Sequence, residues 1–393
     1  MLKLLILLLF TLVFGERPRC DERTALIALR KPSYDFSIEI LDRVSQDTYG
    51  HFVFSPISTW LQLLALAEGA QGKTQNEIIK VTKYHRRYCF RKLVREIFNS
   101  LHEEVSHMSN HRSIIAVDRL FEVKDSFKRR IETLNAAKVI SLNFKDANQS
   151  ANIVRKVFKT DKEDTVGVDA QDFDMTVLLI SDQHYMKADW KRPFNPLDTK
   201  VEPFYFEEVK EGQVNMMNQI GYFNYTEVPF IDTQALELPF NDRITMILLL
   251  PNKGKANDLF WSLRNITLMT IFSSFKTNGP KLVNVKIPRW NQTTNVDNIP
   301  ELISDMGVER VFHPHLANLR SMSDHRLFVS MMANVATIEV TEKGVVAKVV
   351  PESLIDRRDA IDFTLNRPFA YLIVDKSINV ILFAGVYLKP SRF

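Results

Sequence analysis

The apolar pattern of the chain changes once, and this change limits the fold more than any single motif. The first third has the spacing of amphipathic helices at 33–44, 56–67, 86–105 and 125–134. From Val177 onward, apolar residues occur in short runs rich in Val, Ile, Leu and Phe, as in strands buried in sheets. These runs lie at 177–180, 235–238, 244–250, 283–287, 327–330, 337–340, 370–374 and 380–386. The sequence therefore predicts an α+β fold.

The composition is that of one ordinary globular domain. The chain has 393 residues, of which 45% are hydrophobic and 25% charged, with only 12 glycines and no repeat or flexible linker. We therefore expect residues 16–393 to form a single domain. The 51 basic and 47 acidic side chains are too evenly balanced to indicate a nucleic-acid partner.

The first 15 residues are typical of a secretory signal peptide. Lys3 precedes an apolar run at 4–14, and Gly15 is followed by the charged stretch 16–19, which predicts cleavage after Gly15. No stretch reaches the roughly 20 apolar residues of a membrane span. Four Asn-Xaa-Ser/Thr sequons agree with a secreted, extracellular glycoprotein that has no membrane partner. Their asparagines are Asn148, Asn224, Asn265 and Asn291.

No stretch of the sequence has the pattern of a common catalytic site. The chain has no Gly-Xaa-Ser-Xaa-Gly elbow, no His-Glu-Xaa-Xaa-His pair and no phosphate loop. The histidines, which include His102, His107, His111, His313 and His315, are interpreted as solvated surface residues. We expect no enzyme activity, no cofactor and no metal. The two cysteines, Cys20 and Cys89, do not form a disulfide framework, and the sequence leaves open whether they pair.

Ordered motifs along the chain resemble those of the serpin superfamily. The stretch HFVFSPIS at 51–58 is similar to the family's early FSPxS motif, and DQHYMKADW at 182–190 resembles the strand that ends in a Trp before a Pro-Phe pair. Further matches are AEGAQGKT at 67–74, VNMM at 214–217, ALELPF at 235–240, VKIP at 285–288, MG at 306–307, PF at 368–369 and FAG at 383–385. The resemblance covers about 33–390.

The resemblance implies a helix-rich half on a large central mixed β-sheet, with smaller sheets, C-terminal barrel strands and an exposed reactive loop. The unusual interval at 342–369 corresponds to that loop, which we expect at about 343–365, with strands resuming at Asn366. In family members that inhibit, a protease cleaves the loop and is trapped as an acyl-enzyme while the freed segment inserts into the sheet.

The resemblance also assigns roles within the loop. Glu342 falls at the start of the hinge and Gly344 on the hinge glycine, and Val345 and Ala347 would carry the motion. Family spacing puts the scissile bond after Arg358, before Asp359; a register one residue shorter makes it Arg357. An arginine suits the acidic pocket of a trypsin-like serine protease. A solvated basic pair, or a processing site cut without inhibition, is the alternative.

Two departures from the family pattern keep a non-inhibitory binding, carrier or storage serpin as an alternative. Val345 stands where inhibitors carry Thr or Ser, and Pro351 cannot donate a ladder hydrogen bond in an inserted strand. Beneath the sheet, the family's Asn and His are replaced. We expect the residues that govern sheet opening to be Ser55, Ser58, Asp182 and Asn334.

A basic stripe suggests a further partner. Lys83, Arg87, Arg91 and Arg95 recur every four residues, so a helix there would carry a cationic face. In some serpins the matching helix binds sulfated glycosaminoglycans; the alternative is a solvated face. The sequence thus predicts a secreted monomer that inhibits an extracellular trypsin-like serine protease.

Overall fold

The structure is a computed structural model that describes residues 20–158, 168–252, 256–344 and 359–390. Those residues form nine α-helices and fourteen β-strands. The helices are α1 (Glu22–Asp47), α2 (Pro56–Gly69), α3 (Gly72–Thr82), α4 (Tyr88–Val105), α5 (Asp125–Leu134), α6 (Ala147–Phe158), α7 (Leu259–Leu263), α8 (Leu268–Asn278) and α9 (Ile299–Ser304). The strands are β1 (Phe52–Phe54), β2 (Ser109–Asp118), β3 (Lys138–Leu142), β4 (Leu178–Met186), β5 (Lys200–Phe206), β6 (Val209–Val228), β7 (Thr233–Pro239), β8 (Ile244–Pro251), β9 (Pro280–Pro288), β10 (Trp290–Val296), β11 (Met331–Val340), β12 (Ile361–Thr364), β13 (Phe369–Asp375) and β14 (Val380–Tyr387).

The helix boundaries have local causes. Asp21 caps α1, because its carboxylate accepts the backbone N–H of Thr24 at 2.9 Å. Pro56 starts α2, where its missing N–H costs nothing and its fixed φ suits the first turn. Lys83 adopts a left-handed conformation (φ 52°) and ends α3.

The strands form two sheets, and the α+β class is confirmed. The larger sheet has nine strands in the order β1-β14-β13-β8-β7-β6-β9-β12, with β5 paired to β6. The smaller sheet has the order β10-β11-β4-β2-β3. In this sheet β11 runs parallel to β4 and β2 parallel to β3, whereas the other neighbours are antiparallel. It is therefore mixed.

The main core lies where the sheets meet helix α2. Residues of α2 are buried around almost its whole circumference, and strands β8, β13 and β14 are buried at every position. Such strands read as continuous apolar runs, which is why the sequence pattern reveals them. A second, smaller cluster fills the space between β2, β3 and α6, with Ile114, Leu142 and Val154 among its members.

Three sequence-based boundaries were wrong. Residues 327–330 are not a strand; the chain there is fixed by hydrogen bonds, including Ser330 N–H to the Leu178 carbonyl at 2.9 Å. Strand β12 begins at Ile361, inside the segment expected to be loop until 365, because it pairs in parallel with β9 and buries Phe363. Helix α1 begins at Glu22 and continues through Pro32, since its apolar residues pack into the core on both sides of the proline.

The two cysteines form a disulfide. Cys20 and Cys89 are bonded, with their Cα atoms 6.2 Å apart and a sequence separation of 69 positions. The bond ties the start of the described chain to helix α4. None of the helices in the described part of the chain is long and apolar enough to cross a bilayer.

Candidate functional site at the β4–β11 seam

The boundary between β4 and β11, which we call the β4–β11 seam, ends close to Glu342 and Gly344, the predicted hinge. The two parallel strands are in register from Met331 opposite Leu179 to Ile338 opposite Met186. Strand β11 ends at Val340, and the chain continues from there into the predicted hinge. Any segment inserted after β11 must separate these two strands.

Backbone contacts attach the hinge to the end of the seam. Trp190 N–H donates to the Lys343 carbonyl at 3.0 Å, and Phe194 N–H donates to the Glu342 carbonyl at 3.0 Å. Gly344 forms an isolated parallel bridge with Trp190. A Cβ at Gly344 would lie 2.2 Å from the Trp190 carbonyl oxygen, so only glycine allows this approach.

Glu342 is nearly buried and serves as a side-chain anchor. Its carboxylate accepts the Thr199 hydroxyl at 2.9 Å and lies 3.8 Å from the Arg289 guanidinium. The Trp190 indole N–H donates to the Thr341 carbonyl at 2.7 Å, and the ring stacks on Phe240 with centroids 4.6 Å apart. The start of the hinge is therefore held by side chains as well as by backbone.

A carboxylate beneath the sheet joins three elements. Asp182 on β4 is fully buried and accepts hydrogen bonds from Ser58 on α2 and from the Asn334 amide on β11 at 3.0 Å. His111 on β2 approaches it with Nε2 2.8 Å from Oδ1. Burial would raise the pKa of Asp182, but the imidazoles of His184 and His111 outweigh it, so the pKa of this carboxyl lies well below its usual range.

His184 completes what we call the Asp182 cluster, which consists of Ser58, His111, Asp182, His184 and Asn334. Its ring is buried and stacks on His111 with centroids 3.9 Å apart and planes inclined by 8°. Burial lowers the pKa of His184 from 6.5 to about 4, against the attraction of Asp182, so the ring is neutral at neutral pH. Its Nε2 lies 2.7 Å from Asp182 Oδ2.

The structure corrects two expectations about this region. The Ser55 hydroxyl donates to the Leu382 carbonyl at 2.8 Å rather than to Asp182, and so fixes α2 to β14. His111 is not a solvated surface residue, because its ring is packed against His184 and the carboxylate. One feature of the sequence could have predicted that Asp182 and His184 lie together. The two residues are two positions apart on a strand, so their side chains share a face.

A second polar group crosses the β4–β11 seam near its end. Glu339 on β11 accepts from the Tyr185 hydroxyl and pairs with the Lys187 ammonium, both at the end of β4. Burial would raise the pKa of Glu339, but these hydrogen bonds outweigh it and lower the pKa. Like the Asn334 amide, this group has to be released when the seam opens.

The residues that would meet a protease lie largely outside the described chain. Arg357, Arg358, Val345 and Ala347 all lie outside the described residues. Asp359 is described, is exposed, and stands two residues before β12. The segment at 345–358 therefore connects the end of the five-stranded sheet with the β9–β12 edge of the larger one.

The basic stripe does not lie on one helix, so that expectation was wrong. Lys83 ends α3, and α4 begins only at Tyr88. Arg91 and Arg95 turn inward, where they lie 3.0 and 3.7 Å from the buried carboxylate of Glu68. A buried carboxylate needs such partners, which explains why half of the stripe faces the core.

The four sequon asparagines differ in exposure. Asn148, Asn265 and Asn291 are exposed, whereas Asn224 is half-buried in β6. The Asn224 amide also donates to Glu237 at 2.6 Å. Asn224 is therefore the least accessible of the four sequon asparagines in the folded chain.

Comparison with known proteins identifies the class to which this fold and seam belong. A family model described as "Serpin (serine protease inhibitor)" matches residues 31–390, and the chain belongs to that family. The family consists of protease inhibitors rather than enzymes.

Individual relatives are similar along nearly the whole chain. Mouse (Mus musculus) alpha-2-antiplasmin is 28% identical over 365 residues, covering 91% of this chain and 71% of the relative. Serpin A3-7 of cattle (Bos taurus) is 26% identical over 383 residues, covering 93% and 89%. Among solved structures, native protease nexin-1 with heparin has a TM-score of 0.79 at 23% identity, covering 93% of this chain and 99% of that one. At that identity the last comparison shows the fold alone.

Proposed function

We propose that this serpin is secreted and inhibits an extracellular trypsin-like serine protease that cleaves after Arg358, or after Arg357 in the alternative register. One observation supports this most directly: β11 runs along the β4–β11 seam and continues into Glu342 and Gly344, just before the segment that holds both arginines. A segment cleaved there stays joined to β11. It can therefore return between β4 and β11 as an added strand.

Hydrogen-bond energetics favour that insertion. The closed seam has one parallel ladder, and an inserted strand replaces it with two. Each backbone hydrogen bond contributes about 0.5–1.5 kcal/mol net, so a strand of about a dozen residues gains more than Pro351 loses, which is about 1 kcal/mol. Equilibrium therefore favours insertion, and the outcome depends on its rate relative to deacylation.

The rate of strand insertion depends on the contacts of the hinge and the seam that must be broken first. Under this proposal, Glu342 anchors the hinge, and Gly344, Val345 and Ala347 carry its motion into the opened seam. Asp182 sets the barrier to opening through its bond to Asn334, which crosses the seam, while Ser58 holds the carboxylate in place from α2.

The deciding experiment mixes the mature chain, residues 16–393, with a nearly equimolar amount of trypsin. We expect a covalent complex that survives denaturing electrophoresis and a released C-terminal fragment that begins at Asp359. A fragment that begins at Arg358 would assign the alternative register. Arg358→Ala and Arg357→Ala are matched variants, and only the variant at the scissile position should abolish the complex. Loop cleavage without any complex would contradict inhibition.

A non-inhibitory binding, carrier or storage serpin is the second candidate, and Val345 and Pro351 favour it. Both residues would slow the hinge, because one replaces a small polar side chain and the other removes a ladder donor. If the wild-type chain is cleaved without trapping, Val345→Thr combined with Pro351→Thr should convert it into an inhibitor. Failure of the double variant to trap trypsin would mean that the defect lies elsewhere.

Secretion is supported by the N-terminal pattern and by the disulfide. Bonds such as Cys20–Cys89 persist in oxidising compartments and are rare in the cytosol. Cells with an active secretory pathway should release the protein into the culture medium. The released chain should begin at Glu16 and lose mass on enzymatic deglycosylation. Asn224→Gln should leave that mass unchanged, whereas Asn265→Gln should lower it. Retention of the chain inside the cells would contradict the proposal.

Sulfated glycosaminoglycan binding remains a proposal, now restricted to exposed cations. Lys83, Arg86, Arg87 and Lys92 are exposed around the start of α4 and would present ammonium and guanidinium groups to sulfate. Alanine at Lys83, Arg86 and Arg87 should lower the salt concentration that elutes the protein from heparin. Arg129→Ala, an exposed change on another helix, is the control. Equal shifts in both variants would indicate only a general charge effect.

A further inference from the structure

The Asp182 cluster holds two imidazoles against one carboxylate beside the β4–β11 seam. His111 Nε2 lies 2.8 Å from Asp182 Oδ1, and His184 Nε2 lies 2.7 Å from Asp182 Oδ2. A ring whose Nε2–H faces the carboxylate can take a further proton only at Nδ1. We propose that His184 makes the seam acid-sensitive: the closed seam excludes that proton from its ring, so acidification favours opening.

The surroundings of His184 Nδ1 do not suit an added proton. This atom is buried and has no hydrogen-bond partner among the described residues. Phe383 on β14 meets the ring edge-on, with centroids 5.3 Å apart and planes inclined by 86°. A charged N–H in this place would lose its hydration and gain no acceptor in return, which is costly. The packing of the closed seam thus keeps the ring neutral.

The charges around His184 act in opposite directions. The Asp182 carboxylate on the same strand attracts a proton to the ring, whereas His111 on β2, stacked at 3.9 Å, repels it when charged. The cluster's side chains from α2 and β11, Ser58 and Asn334, are neutral. Burial outweighs the attraction of the carboxylate and lowers the pKa of His184 to about 4.

His111 differs from His184 in exposure and in its relation to the seam. Its side chain is 18% exposed, against 6% for His184, and it lies in the wall of an open cleft that His102 of α4 also lines. The seam opens between β4 and β11, so β2 stays paired with β4. The contact of His111 with Asp182 is therefore the same before and after opening, and protonation of His111 does not favour the open seam.

Opening changes the surroundings of His184 itself. His184 is opposite Ala336 of β11, and Asp182 loses the Asn334 amide when the two strands separate. Water then reaches the ring, and its pKa returns toward the ordinary value of 6.5. Because the closed state has the lower pKa, the closed seam is fully favoured above about pH 6.5 and loses this advantage as the pH falls toward 4. Between about pH 7.5 and about pH 5.5, the open fraction should rise roughly tenfold.

The experiment measures how fast a synthetic peptide of residues 345–358 anneals into the mature chain at about pH 7.5 and at about pH 5.5. The peptide contains no histidine, and carboxyl groups of peptides titrate below this window, so a change in rate reports on the protein. We expect the rate to rise roughly tenfold at the lower pH, with an unchanged circular dichroism spectrum. Because annealing needs no protease, the result does not depend on whether the chain inhibits one. An equal or lower rate at about pH 5.5, or no annealing at either pH, overturns the proposal.

Three variants assign the effect to one ring. His184→Gln keeps an amide that can donate to Asp182 but does not titrate, so the rate should no longer depend on pH. His102→Gln is the matched control, because burial lowers the pKa of this histidine too, yet it belongs to α4 and not to the seam. His111→Gln replaces the more exposed ring of the stacked pair and keeps the test available if His184→Gln does not fold. Both of these variants should keep the roughly tenfold rise. The proposal is wrong if the rise survives His184→Gln or disappears in His111→Gln.

Discussion

Replacing Asn334 with alanine should loosen the β4–β11 seam by a calculable amount. The Asn334 amide donates to buried Asp182 across the seam at 3.0 Å, and hydrogen bonds to charged groups contribute about 1.5–3 kcal/mol. Asn334 Oδ1 is itself buried without a partner among the described residues, so truncation also removes one unsatisfied acceptor. We therefore expect the free energy of unfolding to fall by a net amount of about 1–2 kcal/mol.

The same change should speed strand insertion. If the Asn334 bond is fully broken when the seam opens, about 1.4 kcal/mol corresponds to a roughly tenfold faster rate. A synthetic peptide of residues 345–358, added in excess, would anneal between β4 and β11. Native electrophoresis can follow its incorporation over time, and urea unfolding gives the stability of each variant in parallel.

Ser58→Ala is the matched control, because Ser58 donates to the same Asp182 oxygen but from α2, which does not have to cross the seam. It should lower stability by a similar amount and leave the peptide rate nearly unchanged. The reasoning is refuted if both variants anneal equally fast, or if Asn334→Ala anneals no faster than the wild type. Absence of annealing in every variant would mean that the seam does not open at all.

Three further outcomes follow from particular contacts. Gly344→Ala should cost about 1–3 kcal/mol, because the new Cβ lies 2.2 Å from the Trp190 carbonyl oxygen; an unchanged urea midpoint would contradict this contact. Cys89→Ser should cost about 4 kcal/mol in the chain-entropy model for a 69-residue separation, and reducing agent should lower the wild-type melting temperature but not the variant's. The pKa of Glu339 is lowered, so its pairing with Lys187 stabilises the fold above the ordinary value of 4.5 and is lost as pH falls through the lower folded value. The stability difference between wild type and Glu339→Gln should accordingly shrink on acidification, and a difference that grows would show that the sign is wrong.

The amino-acid sequence determined those parts of the fold that depend on local pattern. Helix α5 has the predicted bounds, 125–134, because its apolar spacing is complete within the element. Strands β8, β13 and β14 were predicted because buried strands are continuously apolar. The ordered motifs predicted a hinge at Glu342 and Gly344, and β11 ends shortly before them at Val340; that these residues act as a hinge stays a prediction.

Tertiary contacts decided the rest. The prediction of one basic helix face was wrong for two reasons. Lys83 ends one helix in a left-handed conformation, and the buried Glu68 carboxylate attracts Arg91 and Arg95 toward the core. The pairing of the two cysteines could not be read from a separation of 69 residues. The Asp182 cluster depends on the pairing of β2 with β4, which brings His111 against Asp182 and His184, 71 and 73 positions away. Sequence periodicity reports which face of an element is buried, but not which distant element covers it, and the site consists of such contacts.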